Sequence, residues 1–414
     1  MEKTKKDQKT RLFYALSAVI IFVGGVTVGV LSNASFSTSS SNSRSLLSSI
    51  FGGLNNQGGP VSNTADNLDY DSVEEAYDTL VANYDGELDK TKLIDGLKKG
   101  LAEATGDPYT EFFPAEETKE FAEQISGSFT GIGAELGKQD NAVVIISPIK
   151  GYPAEKAGVQ AKDVILKIND EDALSLTISE AVKKIRGEAG TTVKLNLLRG
   201  SEQVEVTITR ADIKIPSVEY EVLDGAVCNI RISRFSDDTD QLVREAAKVC
   251  KEKSATSVLL DLRNDPGGYL DQAIRVSSHW IDQGKTVVTE KRAGKVIKTH
   301  TAGIGQEFKG MKTVVLINEG SASASEIVAG ALKDYGLATL VGQKTYGKGS
   351  VQEIDQLGGG TSLKITIARW FTPNDKNIDQ EGIEPDHKVE ITLDQVKAGE
   401  DPQKSKAIEL LKTQ

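Results

Sequence analysis

Three segments of this chain carry residues that could do chemistry, and each follows an apolar, strand-like run. Asn318-Glu319-Gly320-Ser321-Ala322-Ser323-Ala324-Ser325-Glu326 leads into Ile327-Val328-Ala329-Gly330-Ala331-Leu332. A serine hydroxyl at such a strand-to-helix junction meets unpaired N–H groups and the positive end of the helix dipole, and both favour an attacking oxyanion. The plainer reading is a serine N-cap with small packing residues. Asp261-Leu262-Arg263-Asn264-Asp265-Pro266-Gly267-Gly268 follows Val258-Leu259-Leu260. Its paired glycines permit a tight turn whose N–H groups point into a cavity, one way to build an oxyanion hole. An ordinary turn into a helix also explains them.

The third segment, Gly342-Gln343-Lys344-Thr345-Tyr346-Gly347-Lys348-Gly349-Ser350-Val351-Gln352, supplies a lysine. It nearly matches a phosphate loop, but Gly349 stands where a metal-binding hydroxyl is needed, and residues 351–357 alternate like a strand instead of opening a helix. A lysine becomes a usable base when burial disfavours its ammonium form. Lys348, flanked by two glycines, can be approached closely by another strand; a solvated surface lysine is the alternative. The chain has 3 histidines, and none has metal-ligand spacing. There is no G-x-S-x-G, and Ser147-Pro148-Ile149-Lys150 fits S-x-x-K by letters only. No metal or other cofactor is expected.

These segments need a scaffold, and the 414 residues suffice for two or three folded units. After residue 213, strand-like runs alternate with helices at 238–252, 269–282 and 323–334. This predicts an α/β core over 213–391 with a mainly parallel sheet, which strands at 350–357 and 361–371 extend. Residues 123–212 read as a small β-rich unit with one helix at Ile178–Ile185. Residues 67–122 read as helical, and 392–414 as a polar helical tail. The net charge of −11 argues against nucleic acid as a partner. Cys228 and Cys250 are either a disulfide or two buried thiols, and thiols are the plainer reading.

The N-terminus carries a location signal. Lys3, Lys5, Lys6, Lys9 and Arg11 precede an uncharged run from Leu12 to Leu31. Twenty residues span about 30 Å, a bilayer core. The reading is a cytoplasmic tail at 1–11, one transmembrane helix at 12–31 and everything downstream outside. A cleaved signal is the alternative. Residues 32–66, rich in Ser, Asn and Gly, read as a flexible linker.

Jointly, the three segments resemble the carboxyl-terminal processing peptidases, a bacterial and plastid family (S41) of Ser-Lys proteases, over roughly residues 70–390. Gly-Ser-Ala-Ser-Ala-Ser-Glu-Ile at 320–327 is similar to the family's nucleophile segment, and Tyr-Gly-Lys-Gly-Ser-Val-Gln at 346–352 to its base segment. The resemblance implies Ser323 as nucleophile, Lys348 as base and Gln352 as the residue orienting the lysine. It implies oxyanion donors from Ala324 and from Gly267 or Gly268. Residues 125–210 resemble the inserted PDZ module, with Gly131-Ile132-Gly133-Ala134 as its carboxylate-binding loop and Arg186 as a regulatory link to the active site. The implied protein is an endopeptidase cleaving proteins at or near exposed C-terminal tails, single-pass in a bacterial cell membrane and working outside the cytoplasm. Whether it self-associates as a homo-oligomer is open. Two other readings remain: a tail-binding PDZ receptor without catalysis, and a protease using Ser321 or Ser325.

Overall fold

The computed structural model describes residues 69–139 and 142–412. The tail at 1–11, the anchor at 12–31 and the linker at 32–66 therefore lie outside the described residues. Among the described residues, no helix is long and apolar enough to cross a membrane.

Helices α1 (Tyr70–Asn83) and α2 (Lys90–Glu103) belong to a unit of their own. Asp69 caps the first by accepting the Ser72 N–H, and Asp89 caps the second through Thr91 and Lys92. Tyr70, Val73, Tyr77, Leu80, Val81 and Tyr84 recur at helical spacing, and all are exposed.

The second unit begins at Thr105. Strand β1 (Glu111–Phe113) is followed by helix α3 (Ala115–Ser126) and strand β2 (Ser128–Gly131). Reading 67–122 as wholly helical is thus corrected: β1 pairs antiparallel with a core strand, Phe112 opposite Leu363. Three residues are too few for a two-residue period to show in sequence.

The β-rich module contains β3 (Ala134–Gln139), β4 (Ala142–Pro148), helix α4 (Pro153–Lys156), β5 (Val164–Ile168), β6 (Glu171–Asp172), helix α5 (Ile178–Ile185), β7 (Thr192–Arg199) and β8 (Glu202–Thr209). The sheet order β3-β4-β5-β7-β8 leaves β3 at an edge beside α5. Strand β9 (Ala211–Lys214) pairs with β2, so the module leaves the chain where it entered it.

The core continues with β10 (Val218–Leu223), β11 (Val227–Ile232), helix α6 (Thr239–Glu252), β12 (Ser257–Asp261), helix α7 (Leu270–Ser277), β13 (Thr286–Arg292) and β14 (Lys295–Thr301). There follow β15 (Lys312–Ile317), helix α8 (Ala324–Asp334), β16 (Thr339–Gly342), β17 (Ser350–Gln356), β18 (Ser362–Phe371), β19 (His387–Lys388) and helices α9 (Leu393–Ala398) and α10 (Pro402–Lys412). A six-stranded sheet runs β10-β11-β12-β15-β16-β19. Its β10 edge is antiparallel and its other pairings are parallel. The strands expected to extend it do not. β17 and β18 close on each other across the short Gly358–Gly360 turn, which makes the pair antiparallel, and join β1, β13 and β14 in a separate sheet.

The central parallel strands β12 and β15 carry apolar runs, Val258–Leu260 and Val314–Ile317, because both faces are covered. Val258, Leu260, Val315 and Ile317 face the main core with α8, whereas Leu259, Val314 and Leu316 pack under Ala407 and Leu411 of α10. The C-terminal tail is therefore partly a structural layer, its few apolar residues hidden in a polar composition. Cys228 on β11 and Cys250 on α6 form a disulfide, Cα atoms 5.5 Å apart, which corrects the thiol reading. Neither spacing nor composition encodes the strand–helix packing that brings them together.

Reducing this bond, or replacing both cysteines by serine, should lower stability by about 3 kcal/mol, as expected for a loop of this size. Thermal unfolding with and without reductant checks this.

Candidate active site

Strand β15 delivers the chain to a turn that ends at Ser323, just ahead of α8. Ser323 has φ 52° and ψ −111°, an unfavourable backbone for a side chain with a Cβ. It is held there from two sides. Its N–H donates to Glu326 Oε2 at 2.9 Å on the first turn of α8. The Gly267 loop closes over it: a Cβ at Gly267 (φ 101°) would lie 2.7 Å from the Ala322 carbonyl and 2.9 Å from Ser323 Cβ.

The three neighbouring serines differ in what their hydroxyls do. Ser321 Oγ donates to the Leu262 carbonyl at 2.8 Å, and Ser325 Oγ to the Asp265 carbonyl at 3.0 Å. Both are fully buried and knit the turn to the glycine loop. Among the described residues, no carbonyl takes the Ser323 hydroxyl. Gly267 N–H is already engaged, donating to Asp265 Oδ1 at 2.8 Å. Burial holds the Asp265 carboxyl well above its usual range. Among the described residues, the N–H groups of Gly268 and Ala324 have no hydrogen-bond partner, so of the two glycines Gly268 has the donor to spare.

Lys348 lies between β16 and β17. Its N–H donates to Glu326 Oε2 at 3.0 Å, and its carbonyl accepts from Trp370 Nε1 at 2.8 Å. The backbone nitrogens of Ser323 and Lys348 thus share one carboxylate oxygen and lie within about 6 Å of each other. Gly349 is required by close packing, since a Cβ there would be 2.5 Å from the Asp379 nitrogen.

The Lys348 side chain is 1% exposed, and its Nζ has no hydrogen-bond partner among the described residues. It lies 4.8 Å from the centre of the Tyr109 ring. Burial first, and then the positive charge of Lys364, pull its pKa down to about 7, against Glu326 and Asp107. Gln352 is fully buried; its Nε2 donates to Ser350 Oγ at 2.8 Å and Thr366 Oγ1 at 3.2 Å, and its Oε1 is unpartnered. The fold therefore gathers Ser323, Ala324, Gly267 and Lys348 in one place, with Gly268 next to Gly267 and Gln352 four residues beyond the lysine, buried in β17. In this conformation the Lys348 amine is hydrogen-bonded to neither Ser323 nor Gln352. Strand β17 carries a register shift against β18 at Val351/Gln352.

Sequence reasoning missed Glu326 and the segment Asp107–Thr110. Glu326 is fully buried and also accepts from Thr345 Oγ1 (2.5 Å) and Gly347 N–H (2.7 Å). Its signal was present: Ser323-x-x-Glu326 is a capping-box spacing. Asp107 accepts from Thr110 Oγ1 at 2.6 Å and from the Tyr109 N–H at 3.3 Å, which turns the Tyr109 ring toward the lysine. Ser147 and Lys150, the S-x-x-K letters, are both exposed on the β-rich module.

On that module, Gly131, Ile132, Gly133 and Ala134 line a groove of about 100 Å³ between β3 and α5. Arg186 caps α5 at one end of it. It pairs with Glu123 of α3 at 2.7 Å and lies 4.7 Å over the Phe129 ring.

Residues 226–389 match the model for peptidase family S41, and residues 130–209 that for the PDZ domain. The chain belongs to family S41. A relative from Staphylococcus haemolyticus named "Probable CtpA-like serine protease" is 40% identical over 77% of the chain. The chain spans 64% of that relative's length. A solved photosystem II D1 C-terminal processing protease is 26% identical, covering 77% of this chain and 87% of its own, with TM-score 0.47. An S41 protease structure from Bacteroides fragilis is 16% identical, covering 74% and 86%, with TM-score 0.51, and shares the fold. The β-rich module is thus the PDZ domain, inserted ahead of the S41 core.

Replacing Glu326 by Gln turns two amide hydrogens toward backbone N–H donors. The variant should lose about 2–4 kcal/mol of stability. Displacing Ser323 from Lys348 should also cost on the order of 100-fold in rate. Denaturant unfolding and protease assays of Glu326→Gln check the two effects.

Proposed function

We propose that this protein is a serine endopeptidase that cleaves proteins at or near exposed C-terminal tails through a Ser323–Lys348 dyad. The observation that carries the reading is the buried Lys348 amine, without a hydrogen-bond partner among the described residues, tied through Glu326 to a strained serine whose hydroxyl donates to no carbonyl there. Neutral Lys348 takes the Ser323 proton as Oγ attacks the peptide carbonyl. Backbone N–H groups of Ala324 and Gly268 receive the oxyanion. The lysine ammonium returns its proton to the leaving amine, and water then releases the acyl group. The unpartnered Gln352 Oε1 and Lys348 Nζ complement each other as acceptor and donor. Substrate entry brings them together and aligns the amine with Ser323.

The PDZ groove takes the substrate's tail as an added strand on the free edge of β3, with the Gly131–Ala134 loop around the terminal carboxylate. Arg186, bonded to α3 rather than lying free in the groove, carries occupancy of the groove toward the core. The uncharged run at 12–31 anchors the protein in a bacterial cell membrane, and the Cys228–Cys250 disulfide fits an extracytoplasmic, oxidising location. The exposed apolar stripe on α1 favours self-association into a homo-oligomer.

With a fully unfolded casein as substrate, cleavage by the wild type should be lost in Ser323→Ala and Lys348→Met. A fluorophosphonate should label Ser323 and neither Ser321 nor Ser325. Cleavage that survives in both variants, or label mapped to another serine, contradicts the reading.

A further inference from the structure

Two lysines are buried at this site, and their surroundings differ. Lys364 on β18 is 8% exposed; its Nζ bonds Glu111 Oε2 at 2.9 Å and lies 4.9 Å and 5.5 Å from the ring centres of Phe113 and Phe121. Its amine is thus paired with a carboxylate and lies over two aromatic rings. Lys348 Nζ has only the Tyr109 ring.

One short segment serves both amines. Tyr109 covers Lys348, and Glu111, two residues on, holds Lys364. Two residues of extended chain span about 7 Å. On β18, Thr366 shares a face with Lys364 and accepts from the Gln352 amide. We propose that Lys364, anchored by Glu111, is a positioning residue for the base: it supplies the fixed positive charge against which Lys348, rather than Lys364, gives up its proton.

This inference rests on Lys348 being the base. Pairs of like groups whose environments differ divide the charged and neutral roles between them. After burial, Lys364 is the largest influence lowering the Lys348 pKa. The other charged and titratable groups around Lys348 are Glu326 from α8, Asp107 and Tyr109 from the segment before β1, and Tyr346, which bonds Tyr109. Asp379 takes the Gly349 N–H and is paired with Arg369. Glu326 and Asp107 pull the lysine back toward its ammonium form, so losing the Lys364 charge leaves burial alone to oppose them.

The test is kcat/KM of the full chain on unfolded casein from acid to alkaline pH. Lys364→Met should move the acid limb up by about one pH unit, the order of effect of one nearby like charge. Activity should then fall about fivefold at pH 7 and stay within about twofold of wild type at alkaline pH. Lys364→Arg should keep the wild-type midpoint. Glu111→Gln, which bares the Lys364 charge, should move the limb the other way, and it serves if Lys364→Met does not fold by circular dichroism. An unmoved limb in Lys364→Met, whether its rate is intact or uniformly reduced, overturns the inference, as does an unmoved or upward limb in Glu111→Gln. Full activity of Lys348→Met in the same assay would instead overturn the reading of the base.

Discussion

Glu326, fully buried on the first turn of α8, accepts from four donors on residues 323 to 348. Burial pushes its carboxyl upward, and those four bonds hold it back. The Ser323 turn and the lysine loop follow the paired strands β15 and β16, and the Tyr346 N–H donates to the Ser321 carbonyl at 3.0 Å. This carboxylate gives them a common reference, and it also binds the backbone of a serine held at a positive φ. The site is therefore built on a buried anion whose whole hydrogen-bonding capacity is used, the condition under which burying it is tolerable.

Two glycine contacts complete the frame. Gly267 lets the loop after β12 lie directly against Ser323, and Gly349 lets the 378–382 segment pack against the lysine loop. Neither contact admits a Cβ. Water is kept from Lys348 by protein on several sides, which is why its amine titrates near neutrality rather than in the usual lysine range. Helix α3 and the strand before it touch both the PDZ domain and the core. Glu123 of that helix holds Arg186, and β1, just before it, is paired with β18.

Much of this was legible in sequence. Strands and helices alternating after residue 213 gave the α/β core, and three motif segments gave the cluster. What was not legible depends on tertiary packing. The β17–β18 hairpin reads as two more strands, and only its short Gly358–Gly360 connection hints at a separate sheet. Cys228 and Cys250 meet because a strand and a helix pack together. α10 looks polar because only one narrow side, with Ala407 and Leu411, is buried. Gly106-Asp107-Pro108-Tyr109 reads as a turn, and nothing local says that its tyrosine covers a lysine 239 positions later. Serine chemistry was visible in kind, but choosing among three serines from the residues alone needed the hydrogen bonds of Ser321 and Ser325.

A Ser323–Lys348 dyad has one requirement: a Lys348 amine that folding keeps neutral at working pH. It is tested most directly by NMR titration of protein carrying 15N at lysine Nζ, with the Lys348 signal assigned by its loss in Lys348→Met. A midpoint at about 7 is the expected result. A midpoint at about 10.4, the value of an ordinary solvated lysine, would contradict it.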